Sequence, residues 1–91
     1  MNDQQLESAI LCGNEAETIL KAHAWNVAKL TIKGDIIERL ESQEILDNNE
    51  TLVELVRELQ AFNRISDKLE QILSDGKFAK HELEMREKDA R

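Results

Sequence analysis

The sequence predicts an all-α protein: an antiparallel helical hairpin with a short N-terminal helix, completed by oligomerisation. Three observations predict it. The 91 residues contain no proline, the strongest helix breaker. Good helix formers such as Glu, Leu, Lys, Ala and Gln recur throughout the chain. Apolar residues return at alternating spacings of three and four in two long stretches, the pattern of helices that pack along a seam.

The first helix is expected at roughly 3–12. Asp3 or Asn2 can cap it, and Leu6, Ile10 and Leu11 give it one apolar face. Gly13 can supply a left-handed stop. A helix this short needs something to pack on.

The second helix is expected at 15–44, with Asn14 as cap and Glu17 placed to favour the helix dipole. Ala16, Leu20, His23, Val27, Leu30, Gly34 and Ile37 form a heptad seam, and Ile19, Ile36 and Leu40 widen it. Gly34 costs about 1 kcal/mol relative to alanine in an exposed helix, but on a seam it admits a partner helix closely.

The third helix is expected at 52–75. Thr51 and Glu54 make a T-x-x-E capping box. Leu52, Leu55, Leu59, Phe62, Ser66, Leu69 and Leu73 form its seam, broadened by Val56, Ile65 and Ile72. Asp75-Gly76 is a natural stop. Asp47-Asn48-Asn49, within 45–50, is loop chemistry between the long helices.

This divides the chain into a short N-terminal helix at 1–13, a helical hairpin at 14–76 and a charged tail at 77–91. The tail is expected to be solvated or partly helical, ordering on binding. A two-helix hairpin buries little surface for its length. Both long helices are also apolar beyond one narrow seam, so another copy or a partner is expected to complete the core.

Charge narrows the function classes. The net charge is −7. Residues 1–50 carry −6 and residues 51–91 carry −1. An acidic chain repels phosphates, so autonomous nucleic-acid binding is not expected. No apolar run is long enough for a bilayer, and MNDQQLESAI lacks the pattern of a signal peptide. The expected location is the cytoplasm, or a virion.

No side chain makes a persuasive catalytic, cofactor or metal site. His23 lies on the seam without a second ligand at helical spacing, so a packing histidine at an interface is the better reading. His81 beside Glu84 suits a surface ion pair. Cys12 has no activating base or cation in its neighbourhood and is expected as a small buried or end-of-helix side chain. Glu38, Glu41 and Glu44 form an acidic row, best read as a solvated face. Phosphate loops, nucleophile elbows and zinc-ligand spacings do not occur. A non-enzymatic chain without cofactor or metal is therefore expected. Trp25 is off the seam, which leaves two places for it: under the first helix, or at an interface. Phe62 is expected in the core. The candidates for association are Trp25, Leu30, Ile37, Leu55, Leu59 and Phe62.

The block Asn14-Glu15-Ala16-Glu17-Thr18-Ile19-Leu20, then Trp25, the Leu30–Leu40 run and Asp75-Gly76-Lys77-Phe78-Ala79, resembles a family of small helical proteins of tailed bacteriophages and prophages. The resemblance spans roughly 14–83 and departs from the family pattern at Lys21-Ala22-His23-Ala24. It implies a phage accessory protein of the packaging and morphogenesis region, and it assigns no functional residue.

Three functions are consistent with these features. The first is a self-associating interaction module in phage particle assembly or DNA packaging, whose partners are further copies and other phage proteins. The second is an acidic inhibitor of a host nucleic-acid-binding protein. The third is a small helical chaperone.

Overall fold

The computed structural model describes residues 1–42 and 49–90. The described residues form three helices: α1 at Asp3–Lys21, α2 at His23–Leu40 and α3 at Asn49–Asp89. The fold is all-helical, and its helix packing is consistent with a hairpin.

The helix limits differ from those expected. α1 runs straight through Gly13 and Asn14 to Lys21. The expected single helix at 15–44 is broken at Ala22, whose ψ of 132° is extended. α3 begins at Asn49, before the Thr51-x-x-Glu54 box, and continues through Gly76 to Asp89. Most of the expected tail is therefore helix. Of the expected loop at 45–50, Asn49 and Glu50 are helical, and 45–48 lie outside the described residues, as do 43 and 44.

The chain forms two compact units, Met1–Lys21 with Asp67–Arg91, and Ala22–Ser66. The first packs α1 antiparallel to the C-terminal part of α3. Leu6 and Ala16 of α1 and Ala79 of α3 are buried there. At the centre, Gly13 meets Gly76. A Cβ built on Gly13 would lie 2.8 Å from the Gly76 Cα, and one built on Gly76 would lie 2.8 Å from the Gly13 Cα and 3.0 Å from the Ala9 carbonyl oxygen. Neither glycine has positive φ. They are there for close backbone approach, not for a turn.

The ends of this pair are fastened by polar contacts. Asn2 caps α1 in a reciprocal box: its Oδ1 accepts from the Gln5 backbone N–H at 2.8 Å, and Gln5 Oε1 accepts from the Asn2 N–H at 2.9 Å. Arg86 of α3 donates to Asp3 Oδ1 at 2.9 Å and to the Met1 carbonyl at 2.8 Å. Asn2→Ala removes the cap and is expected to lower stability by about 1 kcal/mol. Thermal melting followed by circular dichroism checks it.

The second unit packs α2 against the N-terminal part of α3. Ile36 and Leu55 are buried. The Trp25 and Phe62 rings stack with centroids 5.9 Å apart and planes inclined by 21°. Trp25 is half-buried in this unit, with Phe62 as its ring partner. Ser66 is buried at the edge of this unit, and its Oγ has no hydrogen-bond partner.

The break at Ala22 has a physical consequence. On an unbroken helix, Trp25 would fall about 140° round from Leu20. Restarted after Ala22, α2 carries Trp25, Ile32 and Ile36 on one side, with Ile36 buried and the other two half-buried. Nothing in Lys21-Ala22-His23 caps the new helix: Ala22 offers no side-chain hydrogen bond.

Candidate interaction surface

On α2 the residues of the expected seam lie on the side away from Trp25, Ile32 and Ile36. Val27, Leu30 and Ile37 are 46%, 72% and 54% exposed. His23 and Gly34, also on that seam, are exposed, and no atom lies within 4 Å of a Cβ built on Gly34. The row sits about 150° round α2 from Trp25, Ile32 and Ile36, at 3.6 residues per turn. Its far side from α3 is therefore open for approach. Single exposed apolar residues are ordinary, whereas a row at spacings of three, four and three is a helix-packing pattern.

The six association candidates separate into two groups. Leu55 is buried, and Leu59, Phe62 and Trp25 are half-buried within the second unit. Leu30 and Ile37 are exposed. The sequence could not make this distinction, because both sets sit on heptad seams. On α3 the residues from Leu55 to Leu73 on the expected seam are buried or half-buried, and only Leu52, its first member, is exposed. Val53 and Val56 are also exposed in the second unit, and Phe78 and Met85 in the first.

A shallow hollow of about 420 Å³ lies between α2 and α3, lined by Ile32, Asp35, Ile36, Glu38, Arg39 and Glu58. Arg39 Nη1 and Glu58 Oε2 approach to 3.9 Å across it. Both side chains are more than half exposed, so this ion pair holds α2 to α3 only weakly. The hollow is lined by three carboxylates, one guanidinium and two isoleucines.

The remaining candidate side chains are dispersed. Cys12 is exposed in the middle of α1, not buried or at a helix end as expected, because α1 continues past Gly13. His81 is exposed. Glu38 and Glu41 are exposed, and Glu44 lies outside the described residues. Among the described residues, no three His, Cys, Asp or Glu side chains are grouped to hold a metal ion. None of their helices is long and apolar enough to cross a membrane.

Glu17 is a carboxylate with a shifted titration. A hydrogen bond from Lys21 and its charge hold Glu17 below its ordinary value of 4.5, with a further pull from Lys77 on α3. A depressed carboxylate stabilises the fold above its unfolded pKa, and that contribution disappears as pH falls through the folded value. Acidification from pH 6 to below pH 4 is therefore expected to lower the melting temperature. Glu17→Gln is expected to make that fall slightly shallower, as pH-dependent melting of the two proteins would show.

The chain matches no known protein family, no curated protein and no solved structure.

Proposed function

We propose that the protein is a non-enzymatic helical interaction module that works by associating with further copies of itself, in phage particle assembly or DNA packaging. The observation that carries the association is the outward α2 row of Val27, Leu30 and Ile37, left uncovered by the chain's own packing. Burying such side chains is worth about 25 cal/mol per Å² of apolar surface. The small number of buried side chains among the described residues adds to the reading, because a chain with a modest core gains most from an additional layer.

The phage setting is supported only by the resemblance of the Asn14–Leu20 block and of Gly76-Lys77-Phe78-Ala79. In the family pattern the second motif ends a helix. Here it lies inside α3, where its glycine meets Gly13.

The test is a comparison of Leu30→Glu with the unmodified chain. Leu30 is the most exposed member of the row, so the charge is expected to leave the helix content unchanged. The glutamate should abolish concentration-dependent association in sedimentation velocity. An unchanged sedimentation profile would sink the reading.

A further inference from the structure

We infer that the partner on the outward face of α2 is the α2 of a second copy, lying parallel and in register. This inference rests on the self-association proposed above. It comes from the charges that border the row.

Written as a heptad, Val27 and Gly34 take position a, and Leu30 and Ile37 take position d. Lys33 then stands at g and Glu38 at e, one on each side of the row. In a parallel pair, a g residue faces the e residue five positions later on the other helix. Lys33 therefore faces Glu38 of the second copy, and by symmetry Glu38 faces the second copy's Lys33. An antiparallel pair sets like flank against like flank. It never brings Lys33 to Glu38, so it gains neither ion pair. Among the described residues, neither side chain has an ion-pair partner in its own chain. Both are free to serve this contact.

The other features of the face agree with the same arrangement. Gly34 has open space before it, so two copies can approach closely at that layer. A two-fold axis along the row makes the patch self-complementary, as a symmetric dimer requires. The row spans only about two heptads, so the contact is expected to be reversible and concentration-dependent.

The experiment is a charge reversal on the full chain, read as the dimer dissociation constant by sedimentation equilibrium. Lys33→Glu and Glu38→Lys are each expected to weaken the dimer by about tenfold, since each replaces two attractive pairs with two repulsive ones. The double variant Lys33→Glu/Glu38→Lys is expected to return to within about threefold of the unmodified protein. Gly34→Cys, made in a Cys12→Ser background, gives a second readout. In a parallel pair the two position-34 side chains meet, so mild oxidation should produce a covalent dimer. A dimer that ignores the single reversals, is not restored by the double one or yields no disulfide would overturn the parallel arrangement while self-association stands. A chain that is monomeric at every concentration would overturn both.

Discussion

Leu55→Ala is expected to lower stability by about 3 kcal/mol, the usual cost of truncating a leucine in a packed core. Leu55 is 1% exposed and sits in the unit formed by α2 and the first part of α3. It is one of the two largest fully buried side chains, so the lost methyl groups leave a gap that a two-layer structure has little material to refill. Leu30→Ala is the matched control. It deletes the same atoms from a side chain that is 72% exposed, so its cost to the single chain is expected within about 0.5 kcal/mol. Both leucines lie on heptad seams, and only their burial separates them. Urea denaturation at low protein concentration measures the two values. Equal costs would mean that the phase of α2 is wrong.

Gly13→Ala and Gly76→Ala are each expected to destabilise the protein by about 2 kcal/mol, although alanine is the better helix former. The intrinsic gain is about 1 kcal/mol. Against it stands a methyl group placed 2.8 Å from the backbone of the opposite helix. The obstacle on each side is main chain and cannot rotate away, so the two helices must separate along their whole contact. Such overpacking costs about 1–3 kcal/mol, and more where the backbone has to move. Gly34→Ala provides the opposite sign. No atom is near its Cβ position, so the same substitution is expected to add about 0.5–1 kcal/mol. For a domain of this size, 1 kcal/mol corresponds to a shift of about 4–8 °C in melting temperature. Three melting curves therefore distinguish a crossing glycine pair from two helix stops. A gain in stability at Gly13 or Gly76 would show that the helices do not touch there.

These glycines also show where a sequence ceases to be informative. The helical class was legible, because proline is absent and the apolar period is sustained. The inward side of α3 was legible too, from Leu55 to Leu73. Gly13 and Gly76 were misleading, since a glycine after an apolar run is the ordinary signal of a C-terminal stop. Their real partner is each other, 63 positions apart in the chain, and no local pattern carries that contact. The break at Ala22 was equally invisible. Alanine is the best helix former, and the residues on either side continue a plausible seam. On α2, Ile36, which the sequence placed beside the seam, is buried, while Val27, Leu30 and Ile37 on the seam itself are exposed. The α2 row was present in the sequence as a heptad seam, but whether it packs within the chain or against another copy was not, since both uses have the same spacing. Of the six association candidates, Leu55 is buried, Trp25, Leu59 and Phe62 are half-buried, and Leu30 and Ile37 are exposed.

The most direct measurement is the molar mass in solution, by light scattering over a hundredfold range of concentration, for the unmodified chain and for Leu30→Glu. Association through the outer face of α2 predicts a mass that rises from one chain toward two for the unmodified protein, and one chain throughout for the variant with unchanged helix content. A mass of one chain at every concentration, or equal masses for the two proteins, would contradict it.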